Sequence, residues 1–95
     1  MIKYSSEAVE RALKLSAEEI LREARRLCPV RTGRLKNSLT AKGETDRGEV
    51  FTDVPYASKV ELGTSRQKPN PFLSGAVTAS ARKVTDIFRK ELLKK

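Results

Sequence analysis

The sequence predicts an α+β fold, in which N-terminal and C-terminal amphipathic helices pack on a small antiparallel β-hairpin. The helices are predicted from two segments, one near each end of the chain, in which apolar residues recur every three or four positions. The hairpin is predicted because two alternating segments flank a turn-forming segment bounded by Gly43 and Gly48. With 95 residues, the chain is expected to form a single domain over residues 1–95.

The first predicted element is a helix over residues 6–28. Ser5 or Ser6 can cap its start, and Pro29 stops it. One apolar stripe runs along it, formed by Val9, Leu13, Ala17, Ile20, Ala24 and Leu27. Because this stripe is one-sided, we expect the helix to lie on another element.

A hairpin is predicted over residues 35–54. At its start, Thr32 can cap a brief turn through Asn37, and Gly33 allows a tight entry. The first strand is predicted from the alternation of Leu35, Asn37, Leu39 and Ala41. The second strand covers residues 49–54, with Val50, Thr52 and Val54 on one face. Since an isolated hairpin is barely stable in water, it must pack under the helices or pair with another chain.

A short helical turn over residues 55–62 and an exposed loop over residues 63–70 come next. Tyr56 and Val60 lie four apart and share one face of the turn, and Gly63 can end it in a left-handed conformation. Residues 63–70 contain no apolar anchor, so the loop should lie at the surface, either mobile or held by another molecule. Because apolar residues on both sides should anchor its ends, this loop is a better candidate for a contact surface than for a catalytic pocket.

The last predicted helix covers residues 71–93 and begins at Pro71. Phe72 and Leu73 should pin its start to the core. Its predicted seam consists of Leu73, Val77, Ser80, Val84 and Ile87, widened by Phe88 and Leu92.

The formal net charge of +8 favours polyanions or acidic protein surfaces as neighbours. Arg66, Lys68, Arg82 and Lys83 could contact nucleic acid or acidic protein, or could simply keep the surface solvated. The single cysteine, Cys28, excludes an internal disulfide, fits a reducing compartment and is expected to be a small buried residue. No apolar run is long enough for a membrane span and no signal peptide is apparent, so we expect the protein to be cytoplasmic where it is made.

Histidine is absent, which removes the commonest general base and metal ligand. One cysteine cannot form a zinc site, and no phosphate-binding glycine motif is present. We therefore expect no enzyme activity, no cofactor and no metal, although a carboxylate-only site using Asp53 and Glu61 stays open. Glu61 could instead be solvated, or form an ion pair within or between subunits with Arg34 or Arg31 as partner.

Three short strings occur in order along the chain. They are CPVRTGRL at residues 28–35, YASKVELGT at residues 56–64, and PFL at residues 71–73 followed by Ala76. Together with the leading helix, they resemble the tail-component family of long-tailed bacteriophages and prophages, whose members are head–tail joining or tail-completion proteins.

The resemblance implies a structural part of the virion without catalytic residues. Such proteins resemble adaptors that assemble as rings in the neck, between the portal-side connector and the tail tube, with DNA passing nearby without specific recognition. The positions that match the family motif are Thr32, Gly33, Tyr56, Glu61, Gly63, Thr64, Pro71, Phe72 and Leu73. Arg34, Arg66 and Lys68 lie beside them and complete the predicted interaction residues. The implied location is the virion after assembly in the host cytoplasm, and the alternative function is a small basic nucleic-acid-binding module.

Overall fold

Two long antiparallel helices form the frame of the molecule. The computed structural model describes residues 6–29 and 33–93. Helix α1 covers Ser6–Leu27, followed by a short helix α2 at Gly33–Ser38, strands β1 at Thr40–Gly43 and β2 at Gly48–Phe51, helix α3 at Ala57–Leu62 and helix α4 at Phe72–Leu92. The predicted α+β class is confirmed.

Helix α4 packs along α1 in the opposite direction. Two ion pairs establish the direction, because Arg11 binds Glu91 at 3.1 Å and Glu19 binds Lys83 at 3.3 Å. The face of α1 toward α4 is formed by small residues and one carboxylate, Ala8, Ala12, Ser16 and Glu19, all buried. Small side chains allow close approach of the two helices.

The apolar stripe predicted for α1 is only partly buried. Ala17 and Ala24 are buried, whereas the larger Val9, Leu13, Ile20 and Leu27 stay half-exposed. The difference arises because α4 lies on the neighbouring small-residue face, which the apolar pattern alone did not indicate.

Strands β1 and β2 form an antiparallel hairpin that lies over α1. Ala41 faces Val50 and Gly43 faces Gly48 in the register. A Cβ atom at Gly43 would lie 2.7 Å from the Lys14 Cα, and one at Gly48 would lie 2.8 Å from the Leu13 carbonyl oxygen. The glycine pair therefore lets the loop end of the hairpin rest directly on the α1 backbone.

The predicted hairpin boundaries of 35–54 were too wide. Residues 33–38 form α2 instead of a strand, because Leu35 and Leu39 are four residues apart and both side chains are fully buried on one side. The same spacing also fits strand alternation, which explains the wrong assignment. At the other end, the Val54 amide donates to the Thr52 hydroxyl at 3.1 Å, and this local turn ends β2.

The apolar core lies at one end of the helix pair, which we call the core end. Its buried cluster comprises Ala24, Cys28, Leu35, Leu39, Val54, Val60, Phe72 and Ala76. Cys28 is buried in this cluster, as expected. The Arg25 guanidinium donates to the Leu39 carbonyl at 3.1 Å and ties α1 to the start of β1.

The other end, which we call the distal helix pair, consists of residues 6–19 of α1 and 80–92 of α4. Its buried residues are small or polar, namely Ala8, Ala12, Ala17, Ser16, Glu19, Ser80 and Glu91. The buried hydroxyls of Ser16 and Ser80 have no hydrogen-bond partner among the described residues.

Candidate interaction surface

The loop over residues 63–70 projects from the core end and has its own hydrogen-bonded turn. The Thr64 amide donates to the Gln67 carbonyl at 2.9 Å, and the Arg66 amide donates to the Thr64 hydroxyl at 3.2 Å. Residues 64–69 are all exposed, so the predicted surface position is confirmed. The side chains of Arg66 and Lys68 therefore stand on a small turn with a defined backbone.

Gly63 allows the chain to leave α3 and enter this loop. Its φ angle is +75°, a region that L side chains rarely adopt. Its amide donates to the Lys59 carbonyl at 2.9 Å, and a Cβ atom there would lie 2.7 Å from the Pro69 nitrogen. The positive φ predicted for this glycine is confirmed, and the close approach of Pro69 adds a second reason for glycine.

Glu61 caps the start of α4. Its carboxylate accepts hydrogen bonds from the Leu73 amide at 2.8 Å and from the Ser74 hydroxyl at 2.6 Å, with a longer bond from the Ser74 amide at 3.4 Å. Pro71, in the position where a helix normally carries its capping side chain, cannot supply one. A carboxylate also suits the positive end of the helix dipole.

This contact gives Glu61 a role that the sequence did not indicate. Its carboxylate binds the beginning of the next long helix, and among the described residues no ion pair joins it to Arg34. An ion pair between subunits stays a prediction. Arg31, the other proposed partner, lies outside the described residues. The signal in the sequence was an acidic residue, Glu61, ten positions before the proline that begins the next helix, Pro71. Such a spacing has too many other interpretations to be decisive.

The far end of the loop is fixed by a buried aromatic ring. Phe72 is fully buried in the core cluster, as predicted, and Leu73 packs against that cluster from its edge. The Asn70 amide donates to the Val60 carbonyl at 2.8 Å, which closes the loop onto α3. Both ends of the loop are therefore fixed, while its tip contacts solvent.

Arg34 and Tyr56 connect the first two sequence strings. The Arg34 guanidinium lies over the Tyr56 ring, 6.0 Å from its centroid. Tyr56 is half-buried against the core cluster, and Gly33 is exposed at the start of α2. Thr32 lies outside the described residues.

A second surface was not predicted. An apolar groove of about 440 Å³ runs between α1, β2 and α4. It is lined by Leu13, Ser16, Ala17, Ile20, Gly48, Glu49, Val50, Leu73, Ser74, Val77, Val84 and Phe88. Val77 was predicted to lie in the helix seam, but 56% of it is exposed.

The seam prediction was right at Ser80, which is fully buried, but wrong at Val77, because the face of α4 that meets α1 includes the fully buried Ala76 instead. Alanine and serine give a weaker periodic signal than valine and leucine. The larger Val77 was therefore assigned to the side that meets α1 in place of Ala76.

The described residues contain no cluster of three or more acidic or cysteine side chains that could hold a metal ion. Asp53 is exposed, Glu61 is occupied as a cap, and neither lines the apolar groove. Within the part of the chain that the structure describes, no helix has the length and apolarity that a bilayer crossing requires.

A family model described as "Bacteriophage HK97-gp10, putative tail-component" matches residues 3–63. The match covers more than half of the chain, including the first string and nearly all of the second, and it ends before Pro71. Comparisons with curated proteins and with solved structures give no match.

Proposed function

Because the chain belongs to the HK97-gp10-like family of bacteriophage tail components, we propose that it is a non-enzymatic adaptor that joins the head-side connector to the tail or completes the tail. We further propose that it works as one subunit of a ring in the neck of the virion. Head-to-tail contacts between different patches of neighbouring subunits would close such a ring.

One observation carries this proposal: the motif residues support an exposed polar loop rather than a pocket. Glu61, Gly63 and Phe72 fix its two ends. The tip presents only solvent-exposed groups, including the charged side chains of Arg66 and Lys68. A loop with fixed ends can dock on a neighbouring protein without a large loss of backbone entropy.

The test is incorporation of the protein into particles. We expect Lys68→Glu to reduce co-sedimentation with the connector and tail-tube proteins encoded beside the chain, because it reverses a charge on the loop tip. Lys90→Glu is the matched control, since it makes the same change on an exposed site of the distal helix pair. Failure of the unaltered protein to bind either neighbour would overturn the proposal.

The alternative, a nucleic-acid-binding module, is favoured only by the excess of basic residues. Two of the four basic residues proposed for it, Arg66 and Lys68, lie in the loop. Arg82 lies on α4, about 15 Å along the helix axis from its first residue. Lys83 is already paired with Glu19. Retention of duplex DNA that falls steeply with salt, and that is lost on neutralising these four residues, would favour this alternative.

A further inference from the structure

The hairpin covers only half of the surface that the helix pair offers. Neighbouring helix axes lie about 8–10 Å apart, whereas neighbouring strands lie about 4.8 Å apart. A two-stranded sheet is therefore about as wide as one helix, and here it lies over α1 without substantial contact to α4. The surface of α4 beside β2 has no covering element among the described residues.

That uncovered surface is apolar. Along α4, Leu73, Val77, Val84 and Phe88 face the groove at spacings of about one or two helical turns. Val77 is the most exposed of them, and Val84 and Phe88 are half-buried. The opposite wall is formed by Leu13, Ala17 and Ile20 of α1.

Strand β2 borders the same groove. Gly48, Glu49 and Val50 line it, and β2 pairs with β1 on one side only within the described residues. Its second edge therefore offers backbone amide and carbonyl groups beside an apolar floor. This combination suits the addition of an extended segment, whose backbone pairs with the edge while every second side chain enters the groove.

The charge next to the groove indicates the chemistry of the incoming segment. The adjacent row along α4 consists of Thr78, Arg82, Thr85 and Arg89, all exposed, with two arginines and no acidic residue. Arg89 forms only a long ion pair with Asp86, at 4.0 Å. On the β2 side, the carboxylate of Glu49 is already paired with Arg47 at 3.1 Å. Acidic side chains on the incoming segment would therefore find cations on the α4 side.

We propose that a partner protein adds an extended segment to the free edge of β2, placing apolar side chains in the groove and acidic side chains beside Arg82 and Arg89. This inference rests on one part of the proposed function, namely that the protein acts by binding other proteins. It assigns a second docking surface, distinct from the loop over residues 63–70.

The first experiment identifies the segment. The full-length protein, labelled with ¹⁵N, is titrated with short overlapping peptides that cover the connector and tail-tube proteins encoded beside it, and with peptides of its own sequence. We expect an acidic, alternating apolar peptide from one of the other proteins to shift the amide signals of β2 and of Leu73, Val77 and Phe88.

Variants then test the groove directly. Val77→Glu places a charge in the apolar floor at an exposed position, so the fold should persist while peptide affinity falls by at least about tenfold. Leu62→Glu is the matched control, because Leu62 is 74% exposed on α3 and lies outside the groove. Arg82→Ala with Arg89→Ala should weaken binding and reduce its salt dependence.

Several results would overturn this inference. They are the absence of any binding peptide, shifts confined to residues 64–69, or equal binding by wild type and Val77→Glu. Preferential binding of peptides from the chain itself, with concentration-dependent self-association that Val77→Glu abolishes, would make a second copy the occupant.

The two proposals fail in different ways. A Val77→Glu protein that still enters particles normally, and still binds the peptide, leaves the adaptor function standing without the groove. A wild-type protein that binds the peptide but never enters particles contradicts the adaptor function and leaves the groove contact standing.

Discussion

The core end and the distal helix pair are built on different principles. At the core end, large apolar side chains from four helices meet, and Phe72, Leu35 and Leu39 are almost completely buried. In the distal helix pair, two helices meet through alanines, serines and carboxylates, while larger apolar side chains remain half-exposed in the groove. Burial of large apolar groups provides most of the stability of a small domain. The core end should therefore stabilise the fold, and the distal helix pair should be the more easily altered by a partner.

Among the tests of this comparison, Phe72→Ala at the core end should have the largest effect on stability. Removing a fully buried ring should lower the free energy of unfolding by about 3–5 kcal/mol, because it leaves a cavity as well as losing apolar contact. Chemical denaturation measures the effect. Val77→Ala on the same helix is the control and should cost well under half as much, since Val77 is largely exposed. Equal losses for the two variants would contradict the difference between the regions.

Gly63→Ala should produce the next largest effect. A side chain at φ +75°, with its Cβ 2.7 Å from the Pro69 nitrogen, should destabilise the protein by about 1–3 kcal/mol. Gly33→Ala provides the comparison, because a Cβ atom there meets no other atom within 4 Å. Thermal unfolding of both variants gives the answer, and similar midpoints would mean that the loop relaxes freely.

In the distal helix pair, Glu19→Gln should lower stability by about 1 kcal/mol at neutral pH. Burial raises the pKa of Glu19, but hydrogen bonds and charges from Arg22 and Lys83 outweigh it, so the pKa lies below its ordinary value of 4.5. The carboxylate therefore stabilises the folded state above that pH, and its contribution is lost as the pH falls through the lowered pKa. The cost is modest because both cationic partners stay solvated.

Denaturation of wild type and Glu19→Gln as a function of pH measures this contribution. The difference in unfolding free energy should be constant near neutrality and shrink below about pH 4.5. A difference that grows on acidification would show that the Glu19 pKa is raised instead.

The smallest expected effect has the opposite sign. Ser80→Ala should raise the free energy of unfolding by about 0.5–1 kcal/mol, because it removes a fully buried hydroxyl without a partner among the described residues. Alanine also has the higher helix propensity. Ser74→Ala is the contrasting variant and should be destabilising, since that hydroxyl donates to Glu61. Denaturant midpoints distinguish the two.

The sequence predicted the parts of the structure that depend on local patterns better than the parts that depend on how the elements pack together. Both long helices and the buried Phe72 were predictable, because apolar periodicity and a helix-starting proline act locally. The predicted turn through Asn37 anticipated part of α2, but residues from Leu35 onward were also assigned to a strand, since a spacing of four residues between Leu35 and Leu39 fits both strand alternation and a helical face. The small-residue face that α1 turns toward α4 was missed because alanine and serine carry little hydropathy contrast.

The candidate interaction surface was predictable in part. An exposed loop over residues 63–70 follows from its lack of apolar residues, and the positive φ of Gly63 follows from its position after α3. The capping role of Glu61 depends on how α3 is placed against α4, which no local pattern specifies. The groove depends on a mismatch in width between sheet and helices, and therefore on the assembled fold.

Hydrogen bonds fix both ends of the loop over residues 63–70, and this has a practical consequence for protein engineering. Glu61, Gly63 and Asn70 determine where the loop leaves and re-enters the protein, but they place few demands on the chemistry of residues 65 and 66 at its tip. Those two positions should accept other side chains with little loss of stability. Such a scaffold could be matched to a different neighbour by exchanging the tip alone.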